Sequence, residues 1–136
     1  MASLIRILTT LLIAVGFTAP TMAQSDLGNW PTQRPIKMIA VFPPGGSVDQ
    51  VARILAQQLS TQIGQSVIVE NRGGASGAIG TAAVAQSAPD GYTFLIHHNG
   101  MGTAPALYRK LPYNPLTDFE YVSQVMDVPM TLIARK

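Results

Sequence analysis

At residues 36–42 the chain reads IKMIAVF, and directly after it comes Pro43-Pro44-Gly45-Gly46. A strand with one wet face alternates apolar and polar residues. An almost continuous apolar run instead suits a strand covered on both faces, as in a parallel sheet. Proline lacks the N–H donor and glycine favours a turn, so the strand has to end there. A helix is expected next. Ser47 is read as its N-cap, with Gln50 reaching back to complete a capping box. Asp49 puts negative charge in the first turn, where the helix dipole favours it. Val48, Val51, Leu55, Leu59 and Ile63 recur at three- and four-residue steps, with Ala52 and Ala56 on the same face. Gly64 stops the helix.

The pattern repeats along the chain. Residues 66–70 (SVIVE) form a second strand rich in β-branched residues, and residues 71–77 (NRGGASG) a loop. The alanine-rich stretch 78–88 makes a helix that can pack closely on a sheet. Pro89-Asp90-Gly91 signals a turn, and residues 92–96 (YTFLI) a third strand. A glycine-containing loop over 97–102, a short helix over 103–108 and a turn over 112–115 follow. Residues 119–125 and 130–134 read as two further strands. Strands alternating with helices predict an α/β fold with a doubly wound, mostly parallel sheet. The last predicted strand runs into Arg135-Lys136 with no closing helix, so the lobe is expected to be incomplete.

Residues 1–23 are set apart from this fold. Arg6 gives a positive start, residues 7–17 an apolar stretch, and residues 18–23 a small-residue segment ending Thr21-Met22-Ala23. That is the layout of a secretory signal peptide cleaved after Ala23. The stretch is too short for a membrane anchor, which takes about 20 apolar residues. Residues 24–35 are read as a loose polar leader, and residues 36–136 as one lobe. The chain has no cysteine, which excludes disulfides and thiolate metal sites. Its nine basic residues are dispersed, with Arg109-Lys110 the densest pair, so it lacks the basic patch of a nucleic-acid binder.

Ligands of open α/β sheets bind beyond the C-terminal ends of the strands. The first such loop comprises Phe42, Pro43, Pro44, Gly45, Gly46, Ser47, Val48 and Asp49. Its glycines let a ligand approach the backbone, and the helix N-terminus behind it can hold a carboxylate without Lys or Arg. A tight, well-capped strand-to-helix turn explains the same residues. In the second loop Gly74, Gly77 and Gly80 are spaced G-x-x-G-x-x-G. A dinucleotide fingerprint needs G-x-G-x-x-G after the first strand, so these are read as loop and helix-packing glycines. In the third loop His97 and His98 are adjacent, and adjacent residues leaving a strand point to opposite sides. Zinc needs three or four ligands, so hydrogen-bonding roles for His98 and Asn99 fit better than a metal. Neither a G-x-S-x-G elbow nor paired carboxylates occur. The expectation is a binding protein without cofactor. A small exported enzyme and a non-binding remnant are the alternatives.

Read in order, RPIKMIAVFPPGGSVDQVAR, GQSVIVENRGGASGAIGTAAVAQSAPDGYTFLI and PALYRKLPYNPLTDF resemble the Bug family, the periplasmic solute receptors of tripartite tricarboxylate transporters. The resemblance runs from about Trp30 to Lys136. It implies one lobe of a two-lobed, periplasmic-binding-protein-like receptor that closes on a small organic acid. It implies ligand contacts, largely from backbone groups, along Phe42 to Asp49. The loop after the third strand, His97 to Met101, would also face the cleft, with ligand contacts from His98, Asn99, Gly100 and Met101. The ligand would pass to integral membrane subunits of a transporter, or to a sensor. Family members are more than twice as long, so by the resemblance the counterpart of their second lobe, and the return segment that completes the first, are expected to be missing after Lys136.

Overall fold

The computed structural model describes residues 26–127 and 131–135. The strands β1 (Ile36–Ala40), β2 (Val67–Asn71) and β3 (Thr93–Ile96) form a parallel sheet in the order β2-β1-β3. Met38 lies opposite Val69 on one side and Phe94 on the other. Parallel neighbours need crossover connections. The helices α1 (Ser47–Ile63) and α2 (Ala78–Ala85) supply them, and α3 (Gly100–Leu107) follows β3. Single 3-10 turns sit at Asp26–Asn29 and Ala75–Gly77.

β1 is covered on both faces, as its apolar run predicts; only Lys37 in it is exposed. Met38 and Ala40 pack with Val48 and Ala52 of α1, and Phe42, Leu55 and Val69 close that core. Val41, on the alternate side, lies against Gly77 and Gly80 at the start of α2. A second core there joins Ala78, Met101 and Tyr113. The helices thus cover opposite faces of the sheet, which is the doubly wound arrangement. Among the described residues no helix is long and apolar enough to cross a membrane. The expected signal peptide at residues 1–23 lies outside the described residues.

Four local expectations need correction. Gly46, not Ser47, is the N-cap of α1, and no side chain caps it. The Gln50 side-chain amide donates to the Gly45 carbonyl at 3.1 Å instead of closing a capping box. Asp49 explains the change, because its carboxylate reaches back and accepts the Gly45 N–H at 2.8 Å. At the other end Gly64 takes the left-handed conformation, φ 66°, as expected of a helix stop. α2 ends at Ala85 rather than 88, since Pro89 disfavours helix just before it. α3 begins at Gly100 rather than 103, where burial of Met101 and Ala104 outweighs the poor helix propensity of glycine.

The leader is not loose from Trp30 onward. The Trp30 indole N–H donates to the Gly91 carbonyl at 3.1 Å, and the Gln65 amide to the Pro31 carbonyl at 2.9 Å. Arg34 pairs with Asp90 and lies over the Tyr92 ring, 4.7 Å from its centroid. At the C-terminal side, residues 119–125 form no strand, contrary to expectation. Residues 131–134 form none either, and Met130 lies outside the described residues. A strand exists through its ladder. None of β1, β2 and β3 pairs with these segments: Phe119 packs against the second core, while Val122 is 79% exposed and Leu132 98%.

Candidate functional site

Three loops leave the C-terminal edge of the sheet and meet there. The first runs over residues 41–47. Its strand end, Val41, is 1% exposed and anchored in the core, while Pro43 to Ser47 are all exposed. The backbone donors of this loop divide into two sets. The Gly45 N–H goes to Asp49 and the Gly46 N–H to the Pro43 carbonyl at 3.3 Å. The ladder of α1 begins only with the Gln50 N–H donating to the Gly46 carbonyl at 3.0 Å. The N–H groups of Ser47, Val48 and Asp49 precede that ladder and so have no intrahelical acceptor. They add to the positive end of the dipole of a 17-residue helix. Such an end holds an anion without a charged side chain.

Asp49 is 3% exposed, and the protein itself engages its carboxylate. One oxygen accepts from the Gly45 N–H and from Arg53 Nε at 3.0 Å. The other accepts from Asn71 Nδ2 at 2.8 Å and from the Arg53 guanidinium at 2.9 Å. Asn71 also donates to the Phe42 carbonyl at 3.0 Å. The Arg53 hydrogen bond, then those from Gly45 and Asn71, hold the Asp49 carboxyl well below the usual carboxylate range, against the opposing effect of burial. The first loop is therefore fastened to the end of β2. Val48 and Met101 are also turned into the core, at 7% and 8% exposure, so their side chains line no open surface.

The two histidines of the third loop do not diverge as expected. The chain turns as it leaves β3, and both rings pack on Phe42. His98 stacks on it with centroids 4.6 Å apart and planes at 23°. His97 meets it edge-on at 6.1 Å and 85°. The two imidazoles lie 5.1 Å apart. The Gly100 N–H donates to His98 Nδ1 at 2.7 Å, and the His98 N–H to His97 Nδ1 at 2.8 Å. Among the described residues no three His, Asp or Glu side chains gather as metal ligands.

The second loop closes over this cluster. Gly77 has φ 94°, and a Cβ there would stand 2.8 Å from His97 Nε2 and 3.1 Å from Val41 Cγ2. Gly73 lies against Pro43. Gly74, Gly77 and Gly80 leave no room for a Cβ and serve close packing, as the sequence suggests. Two shallow hollows lie away from the loops. One is between α1 and β2 beside Arg53 and Ser60, and the other is at the opposite end of the sheet beside Arg34 and Tyr92. The structure adds two residues that sequence reasoning missed, Arg53 and Asn71, and gives His97, which the sequence placed in the third loop, a buried packing position. Only the pairing of buried Asp49 with Arg53 one helical turn later was open to a reading of spacing.

Burial of His97 lowers its pKa, and the neighbouring His98 adds to the shift against a backbone hydrogen bond. A histidine whose folded pKa is depressed stabilises the fold fully above its unfolded pKa of about 6.5 and loses that contribution as pH falls. The melting temperature is expected to drop between pH 7 and pH 5. In His97→Gln that drop should be smaller. Equal slopes in scanning calorimetry would show that His97 does not carry it.

Comparison with known proteins gives a consistent picture. A sequence profile described as tripartite tricarboxylate transporter family receptor matches residues 51–136. Protein BugT of Bordetella pertussis is 42% identical over 135 residues, covering 98% of this chain and 40% of BugT. The solved periplasmic binding protein BugD superposes with a TM-score of 0.63 at 49% identity, over 65% of this chain and 29% of BugD. An R. palustris protein solved with adipate gives 0.62 at 41% identity, over 65% of this chain and 30% of that one. MatC from Rhodopseudomonas palustris, solved with bound malate, gives 0.62 at 38%, with the same two coverages. The chain thus spans 40% of the length of BugT and about 30% of the solved proteins.

Proposed function

This chain belongs to the tripartite tricarboxylate transporter receptor family, and on that footing we propose that it captures a small organic acid outside the cytoplasm for the membrane subunits of a tripartite transporter. The observation that carries this reading is the open N-terminus of α1 at the end of the central strand. Pro43, Pro44, Gly45, Gly46 and Ser47 are exposed there, and three N–H groups precede the helical ladder. A carboxylate seated on them is held by backbone donors and the helix dipole. Phe42, with its stacked His98, forms one wall, and Asn99 and Gly100 continue it. Val48 and Asp49 contribute through their backbone N–H groups, since their side chains face inward; Met101, whose N–H donates to the His98 carbonyl at 3.0 Å, supports the third loop from beneath. Adipate and malate, the acids held by two similar proteins, are both dicarboxylates, which supports that class of ligand. The secretory layout of residues 1–23 supports a periplasmic location. The role is binding rather than catalysis, in keeping with a receptor family.

A thermal-shift series with mono-, di- and tricarboxylates, adipate and malate included, tests this. An acid present at 100 times its Kd stabilises by about 2.7 kcal/mol, which in a domain of this size is a rise of roughly 10 °C or more. Gly46→Val is expected to remove about half of that rise or more. Gly46 has φ −72°, which valine adopts, and the added Cβ would stand 3.3 Å from the Pro43 carbonyl. The unliganded variant should therefore melt within a few degrees of the parent and bind at least about tenfold more weakly, a loss of ~1.4 kcal/mol. Equal binding by Gly46→Val would exclude this site. A second reading, that the chain alone binds nothing, is favoured by Leu116, Leu132 and Ile133, which are 86% exposed or more. A cooperative melt that no acid shifts would select it.

A further inference from the structure

We infer that His98 serves the site as a neutral hydrogen-bond donor, locked in one tautomer by the backbone of α3; this rests on the carboxylate reading above. A backbone N–H can only donate. The Gly100 N–H lies 2.7 Å from His98 Nδ1, so Nδ1 presents its lone pair and the ring hydrogen resides on Nε2. Protonating Nδ1 would set one N–H against another and break the bond that joins the third loop to α3. The ring has little freedom to escape this state. One face lies on Phe42 at 4.6 Å. Its edge lies against Gly100, where a Cβ would stand 2.6 Å from Cε1 and 2.9 Å from Nδ1. Gly100 is therefore needed for the approach of the imidazole and not for a turn.

The consequence is chemical selectivity. His98 is exposed, and the Phe42 on which it stacks belongs to the first loop. With Nδ1 engaged, the imidazole offers the ligand a donor and neither an acceptor nor a charge. It joins the backbone N–H groups of α1 in recognising oxygen acceptors, and it gives nothing to an ammonium group. His97 stands behind it with Nε2 buried and unpartnered, and fills the space under Gly77. The ligand class that fits is an acid with a second oxygen acceptor beyond the carboxylate on α1, as in a dicarboxylate.

Histidine 15N NMR on the full chain reads the tautomer directly. At pH 7 without ligand, His98 should show a protonated Nε2 and an unprotonated Nδ1. Saturating succinate should move the Nε2 resonance and leave the tautomer unchanged. His98→Phe keeps the stack and loses both the donor and the acceptor of the Gly100 N–H; it should bind succinate about tenfold or more weakly, with a melting temperature lowered by no more than a few degrees because that bond is exposed. His98→Gln, which keeps an N–H in the position of Nε2, should recover part of the affinity. An Nδ1–H tautomer or an imidazolium at pH 7 overturns the inference whatever the ligand does. Undiminished succinate binding by His98→Phe overturns it too. If the tautomer is as stated but succinate moves no resonance and shifts no melt, the ligand role of His98 is overturned, and the failure lies with the receptor reading rather than with the lock.

Discussion

Gly80→Val is expected to lower the melting temperature of this chain steeply or to abolish its cooperative melt. Gly80 lies in the first turn of α2, where three elements come closest. A Cβ at this position would stand 2.4 Å from the Arg72 carbonyl oxygen, 3.0 Å from Val41 Cγ1 and 3.2 Å from Arg72 Cβ. The first of these is backbone, and it cannot swing aside. The Arg72 N–H is itself bonded to the Ala40 carbonyl at 2.9 Å, which ties that peptide to the central strand. Val41 is 1% exposed, a side chain fully enclosed in the core. Relief would require α2 to lift from the sheet and open the second core. Overpacking a close-packed interior costs about 1–3 kcal/mol in ordinary cases, and a backbone clash lies at or beyond the top of that range. Small domains hold only about 5–15 kcal/mol in total. Circular dichroism should show a loss of at least roughly 12 °C in melting temperature, or no transition at all. Gly80→Ala should fall between. A valine variant that melts with the parent would mean that α2 is not held where the structure places it.

Asp49→Asn is expected to be the most damaging polar substitution. The change preserves shape and removes the charge. It also replaces one acceptor oxygen by an amide that can only donate, opposite donors from Gly45, Arg53 and Asn71. Any flip of the new amide leaves one of those donors facing another, and unmet polar groups in a buried position are costly. The melting temperature should fall by about 10 °C. The pH dependence identifies the cause. A carboxylate held below its ordinary pKa stabilises the fold fully above its unfolded value of about 3.9, and loses that contribution as pH falls toward the folded value. The parent should therefore lose stability below about pH 4. The asparagine variant, lacking this contribution, should show a shallower decline, so that the two melts approach each other in acid. A constant difference down to pH 2 would mean that Asp49 acts through shape alone. Arg53 is half exposed, so its own removal should cost less than the loss of Asp49.

The strands and the long helix were legible because their signals are local. IKMIAVF, SVIVE and YTFLI each hold a strand to within two residues, and Gly64 ends α1 where a left-handed residue is needed. What the sequence misplaced depends on distant partners. Residues 119–125 have the aromatic and β-branched content of a strand but no neighbouring strand, and composition cannot supply the ladder. Residues 100–102 read as loop because glycine is a poor helix former, yet burial of Met101 decides the matter. In the candidate site, Pro43 to Ser47 were legible from turn chemistry and the helix behind them. The roles of Asn71 and His97 were not, since they come from segments 22 and more residues away from Asp49 and are joined to the first loop only by folding.

The fastening of the first loop has a consequence for the rates and heats of association. Asn71 grips the Phe42 carbonyl, Asp49 the Gly45 N–H, and two prolines stand between them. The segment is already in one shape before an acid arrives. An incoming carboxylate therefore need not freeze it, and the entropy usually surrendered in ordering a binding loop was spent when the domain folded. Encounter should be a single step whose rate rises linearly with acid concentration, with affinity differences among acids appearing in how slowly they leave.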